Sequence, residues 1–308
     1  MTSVADSPQS GPDTGGEHVP AAVPGGAHEA LRARGAVARA LRDATYEILP
    51  FRGTEDSVCE HVSPATGLTV TTTEAKGLDP TLDLAVRLTG HGYRVAPHLA
   101  ARLVRDRAHL ADIVARLRDG GVERIFVIAG DAPEPAGSYT DALGLLRDLD
   151  ELGRLFTEVG IGGYPEGHGR IDDVRLDAAL RDKAPHATQV ITQLCFDAGV
   201  TTRWAAGLPA RGVTLPVRVG IPGAVSRQKL VRVSAGLGLG QSARFLAKQT
   251  GLLWRFLLPG GYNPDRLLRG LAPALARPDS GLGGVHVFTF NDLASTEAWR
   301  RRRIERAG

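Results

Sequence analysis

The chain has 308 residues, 43% of them apolar, with a formal net charge of +3. That is enough apolar material for one large domain with a full core, and too little charge to argue for a nucleic-acid partner. Two cysteines, Cys59 and Cys195, make no disulfide framework and predict a reducing, cytoplasmic setting; no apolar run reaches the roughly 20 residues of a membrane span, and the N-terminus lacks the basic start and apolar segment of a secretory signal.

Residues 1–26 are rich in Gly, Pro, Ser and Ala without apolar periodicity, which predicts a disordered tail ahead of a single domain over 27–308. A helix over 27–42 is expected to set Leu31, Val37 and Leu41 on one side. The first strand then carries Glu47. From there short apolar runs alternate with helical patterns, and a polar residue closes nearly every run. Thr71 and Thr72 follow Leu68-Thr69-Val70, and a helix is predicted over 81–91. His98 follows Val95-Ala96-Pro97, with a helix over 103–117. Asp131 follows 125–130, with a helix over 139–156. Tyr164, Glu166 and His168 follow 159–163, with a helix over 174–183. Gln193 follows 190–192, with a helix over 201–211. Gly220 and Pro222 end the seventh run, and Asn291 ends the eighth, 285–290. Between the last two lies an insertion with helical patterns at 225–235, 241–257 and 264–276. Arg300 to Arg303 read as a solvated helix end.

Strand–helix repetition predicts right-handed βαβ units and a parallel sheet. An open doubly wound sheet would gather its ligands at one switch point. Polar ends spread over all eight runs point instead to an α/β chain of the (β/α)8 TIM-barrel type, whose strand C-termini converge on one site.

Two further motifs carry weaker signals. Gly238-Leu239-Gly240-Gln241-Ser242-Ala243 loosely matches a dinucleotide fingerprint, but no strand precedes it, so it reads as a turn between helices. His98, Asp131, Glu166 and His168 could form a metal set, yet the first strand has no paired histidines, and no metal is expected. No G-x-S-x-G elbow is present. Glu47 stands out because Tyr46, Ile48 and Leu49 surround it. A carboxylate there is costly unless paired or protonated, so it is either a general acid of raised pKa or half of an ion pair with Arg or Lys. Asp131 can accept hydrogen bonds from a heterocycle or cap a helix, and Gln193 offers a donor and an acceptor together.

Five motifs in order resemble those of methylenetetrahydrofolate reductases: Tyr46-Glu47-Ile48-Leu49-Pro50, Ala96-Pro97-His98-Leu99, Gly130-Asp131-Ala132-Pro133, Gly163-Tyr164-Pro165-Glu166-Gly167-His168 and Ile191-Thr192-Gln193-Leu194-Cys195-Phe196-Asp197. The resemblance implies a (β/α)8 barrel and the reduction of 5,10-methylenetetrahydrofolate to 5-methyltetrahydrofolate. It implies Glu47 as the acid and Asp131 and Gln193 as folate-binding residues. It also implies Thr71, His98, Ala129, Gly130, Tyr164, His168 and Lys183 as the lining of the redox-cofactor place. The pattern departs from flavin-containing members in three places. Ala129 stands where they have an arginine, 70–77 reads Val-Thr-Thr-Thr-Glu-Ala-Lys-Gly where they have a Tyr-Gly-Ala segment, and 224–227 lacks their aromatic residue. The expected cofactor is therefore NADH, with NADPH open, and hydride passing directly to the folate. The alternatives are an FAD-dependent reductase, a folate-dependent methyltransferase or demethylase of the same fold, and a non-catalytic folate binder. A monomer is expected.

Overall fold

The computed structural model describes residues 25–225 and 264–306. Eight parallel strands close into a barrel in chain order: β1 (Thr45–Ile48), β2 (Gly67–Val70), β3 (Val95–Ala100), β4 (Arg124–Ile128), β5 (Glu158–Gly163), β6 (Gln189–Leu194), β7 (Val217–Pro222) and β8 (Leu282–Phe288), with β8 pairing back onto β1. The helices are α1 (Gly25–Arg42), α2 (Thr54–His61), α3 (Asp79–Gly90), α4 (Arg107–Asp119), α5 (Ala142–Glu151), α6 (Asp173–Lys183), α7 (Ala198–Ala206), α8 (Asp265–Leu275) and α9 (Leu293–Glu305). None of the described helices is long and apolar enough to cross a membrane.

The period of two in each strand divides its residues between two environments. Tyr46, Ile48, Leu68, Val70, Ile125, Val127, Val285 and Val287 are buried in the shell between sheet and helices. Their neighbours in sequence, Glu47, Thr69, Phe126 and His286, face the interior. At the N-terminal end the interior is closed by a polar plug. Arg124 pairs with Glu158 at 2.9 Å, Gln189 Nε2 donates to Glu158 Oε2 at 3.3 Å, and Arg218 Nε donates to Gln189 Oε1 at 3.1 Å. Such a layer belongs to stability, and leaves the opposite end for chemistry.

Caps explain where the helices depart from the predicted spans. Asp106 accepts from His109 N and starts α4 at Arg107 rather than at 103. Asp141 starts α5 at Ala142, and Asp197, accepting from Val200 N, starts α7 at Ala198. Each satisfies amides that a helix N-terminus otherwise leaves unpaired. A carboxylate cap thus outweighs the apolar period at the boundary. Helix α2 was not anticipated; it buries only Thr54 and Val58 and so shows no apolar face in sequence.

Two expectations are overturned. Leu31 is exposed, because the surface that α8 and α9 present to α1 covers Ala36 to Leu41. Arg300 is buried, not solvated: it donates twice to Glu297, at 2.7 and 2.9 Å, and to Leu41 O at 3.1 Å, while Tyr46 donates to the same carboxylate at 2.6 Å. This network ties α9 to β1 and α1. Of the predicted insertion helices, 264–276 is α8. The pattern at 225–235 beyond Val225, that at 241–257, the turn at Gly238 and residues 1–24 of the tail lie outside the described residues, while Gly25 and Gly26, expected in the tail, begin α1.

Candidate active site

Glu47 projects into the barrel from the middle of β1, between Thr69 of β2 and Phe288 of β8 in register. Two histidines face it. His98 Nε2 from β3 lies 3.8 Å from Glu47 Oε2, and His286 Nε2 from β8 lies 3.7 Å away. Both gaps are longer than a hydrogen bond. His286 is further fixed by a 2.7 Å contact between its Nδ1 and Thr45 Oγ1. His98 stacks obliquely on Phe126, with ring centroids 4.7 Å apart. That ring reaches the interior because residue 160 is glycine; a Cβ there would lie 2.6 Å from Phe126 Cδ2.

Removal from water raises the Glu47 pKa to about 7, against the pull of His98. The same burial lowers His98 to about 4 and His286 to about 3, the latter helped by the Arg218 charge. At neutral pH the trio is therefore two neutral imidazoles around a carboxyl that is half protonated. No Arg or Lys among the described residues pairs with Glu47; its titratable neighbours are the two histidines. The Glu47 side chain keeps 17% of its surface exposed, as a donor to a bound molecule requires.

A second group stands on the rim over β4 and β5. Asp131 is largely exposed and accepts from Arg170 Nη2 at 3.0 Å. Tyr164 packs edge-on to His168, centroids 5.2 Å apart, and its phenol pKa is raised by burial and by the Asp131 charge. Glu166 belongs to the scaffold: its Oε1 accepts from the backbone N–H groups of Phe196 and Asp197 at 2.6 and 2.8 Å. Gln193 lies where β6 and β7 slip register, and its Oε1 accepts from Leu194 N at 2.9 Å. A local irregularity of this kind re-aims a side chain at a barrel rim.

The polar strand ends therefore divide. Glu47 and His98 meet inside the barrel; Asp131, Tyr164 and His168 gather on the rim, with Ala129 and Gly130 leading from the end of β4 to Asp131. Thr72 donates to His98 O at 2.7 Å and steadies β3. Asn291 clamps β1 to β8 through both faces of its amide, to Leu49 N, Leu49 O and Thr54 Oγ1. Lys183 lies in the last turn of α6, in the outer helical layer, and burial lowers its pKa. His98, Asp131, Glu166 and His168 do not come together: His98 lies inside the barrel, Asp131 and His168 stand on the rim, and Glu166 Oε1 is held by two backbone amides; no His/Cys/Asp/Glu group among the described residues could hold a metal ion. His286 was missed in sequence because the apolar run 285–290 hid it. A histidine inside such a run carries the same signal as Glu47.

A redox cofactor is implied by the sequence resemblance. Thr71 Oγ1 and His98 Nε2 are buried without a hydrogen-bond partner among the described residues, at the end and in the middle of adjacent strands. Such atoms fit the amide edge of a nicotinamide or a flavin ring.

A model of the methylenetetrahydrofolate reductase family matches residues 59–236, more than half of the chain. Glu47 and His286 lie outside that stretch. Among solved structures, a Clostridium thermocellum protein that binds two copies of 5-methyl-5,6,7,8-tetrahydrofolic acid is similar at 11% identity and a TM-score of 0.55, over 85% of this chain and 96% of that one. A mutant tryptophan synthase α-subunit from Pyrococcus furiosus is similar at 10% identity and a TM-score of 0.46, over 86% and 96%.

Proposed function

The chain belongs to the methylenetetrahydrofolate reductase family, and from that membership we propose that it reduces 5,10-methylenetetrahydrofolate to 5-methyltetrahydrofolate with hydride from NADH or NADPH, without a flavin. The observation that carries the chemistry is the Glu47 carboxyl, held inside the barrel between two neutral histidines with a pKa of about 7.

Protonated Glu47 gives its proton to N10 of the folate, directly or through one water. The bond from N10 to the methylene breaks with its electron pair on N10, leaving the methylene as an iminium on N5. Asp131 holds the pterin edge, and its negative charge stabilises the cation that forms. Gln193 turns its amide from Leu194 N to the pterin, offering one donor and one acceptor. Thr71, His98, Tyr164 and His168 would hold a nicotinamide, which when bound supplies the hydride that makes the iminium carbon a methyl group. Proton and hydride together account for the two-electron reduction. His286, fixed by Thr45, gives the carboxyl a polar neighbour that stays uncharged and so leaves its proton available.

Ala129 supports the flavin-free reading, because a methyl group stands where flavin-containing members have an arginine. The unpartnered Thr71 Oγ1 and His98 Nε2 would equally serve a flavin edge, which keeps an FAD-dependent reductase as the second reading. The Clostridium thermocellum barrel is a precedent for folate on this fold, not for these residues.

An absorption spectrum followed by a nicotinamide oxidation assay tests the proposal. The purified protein is expected to show no flavin band and to oxidise NADH or NADPH only when methylenetetrahydrofolate is present. A stoichiometric flavin band would establish the second reading. Folate binding without nicotinamide consumption would point to a methyltransferase, demethylase or binding protein and remove both.

A further inference from the structure

Arg170 is absent from the mechanism, yet the loop after β5 is built to aim it. Tyr164 O accepts from Gly167 N at 3.1 Å in a tight turn, and Gly167 takes φ +77°, a conformation that favours glycine. Glu166 pins that turn to the start of α7 through two backbone amides. The chain then returns so that Arg170 N donates to His168 Nδ1 at 3.3 Å, while His168 packs on Tyr164. The guanidinium that emerges donates from Nη2 to Asp131 Oδ1 at 3.0 Å. Both side chains are exposed, 64% and 63%, so the ion pair is weak enough for a ligand to break.

A guanidinium presents parallel N–H donors in one plane. The 2-amino group and N3–H of a pterin present the same arrangement at similar spacing. We infer that Arg170 is a stand-in for the substrate: in the free protein one of its N–H groups occupies Asp131 Oδ1, where a pterin N–H would bind, and folate must displace it. The inference rests on the folate reading given above and deepens it. The displaced charge has a consequence for specificity. A ligand that offers Asp131 no N–H donor does not replace the bond that Arg170 gives up, so Arg170 biases the rim against heterocycles without one.

The test is titration calorimetry with 5-methyltetrahydrofolate on the full chain, for the unaltered protein, Arg170→Ala and Arg170→Lys, at low and high salt. Relieving a surface ion pair should tighten binding by about two- to fivefold in Arg170→Ala. Arg170→Lys, a point charge without the planar fork, should fall between. The gap between unaltered and Ala proteins should shrink as salt screens the pair. Equal or weaker binding by Arg170→Ala would overturn the inference while leaving the folate reading intact, since the unaltered protein would still bind. No binding by any of the three would overturn both.

Discussion

Replacing Glu47 by Gln should trade activity for stability, with a pH dependence that can be worked out in advance. In the folded chain the carboxyl has a pKa of about 7, against 4.5 as its ordinary value. Because the folded value is raised, its contribution to stability is fully present below pH 4.5. It declines between there and about pH 7, where the native state keeps a proton that the unfolded chain has released, and is gone above. A difference of about 2.5 at about 1.4 kcal/mol per unit corresponds to about 3 kcal/mol. Glutamine has nearly the same shape and never ionises, so it escapes this loss. Urea unfolding of both proteins should give similar stabilities near pH 4, and an advantage of about 3 kcal/mol for Glu47→Gln near pH 8. His98 and His286 also titrate, with folded values lowered to about 4 and about 3, and they oppose the trend between those values and 6.5. His286 is unaffected by Glu47 and cancels in the difference, whereas His98 loses the upward pull of the Glu47 charge and is lowered further in Glu47→Gln. A stability difference that does not change with pH would mean that Glu47 is not held neutral by its surroundings.

In steady-state assays, kcat/KM should be level from about pH 5 to 7 and fall about tenfold per unit above, as Glu47 ionises; a profile still level at about pH 8.5 would contradict the acid role. Glu297→Ala leaves the Arg300 guanidinium buried without its carboxylate and should cost about 3 kcal/mol or more in unfolding experiments, with little change in kcat for the protein that remains folded; unaltered stability would show that the network is dispensable. Gly160→Ala puts a methyl group against Phe126 and should cost about 1–3 kcal/mol while displacing the ring on which His98 rests, so kcat should fall as well. A fully active Gly160→Ala protein would show that the His98 position is not set by that packing.

The strands and their order could be read from sequence because a parallel barrel buries both faces, and each strand writes itself as an apolar run that stops at a polar residue. Glu47 was legible for the same reason: nothing in its own neighbourhood could pay for an ionised carboxylate. What sequence could not distinguish was a polar strand end that meets a ligand from one that meets the backbone. Asn291, Glu166 and Asp131 look alike in sequence, yet the first clamps Leu49, the second holds the amides of Phe196 and Asp197 just ahead of α7, and the third pairs with Arg170. Each partner is tens or hundreds of residues away, and only closure of the barrel brings it near. Arg300 was misread on the same account, since its carboxylate is local but its burial comes from β1 and α1. His286 required the register of β8 against β1, because alternation assigns it to the interior only once Glu47 is known to face it.

The most direct test is a single-turnover measurement at neutral pH, mixing protein with NADH and methylenetetrahydrofolate and following both nicotinamide oxidation and 5-methyltetrahydrofolate formation. The unaltered protein should convert one equivalent of each, and Glu47→Gln should still bind folate but react about a hundredfold to ten-thousandfold more slowly. Equal rates for the two proteins would contradict the account.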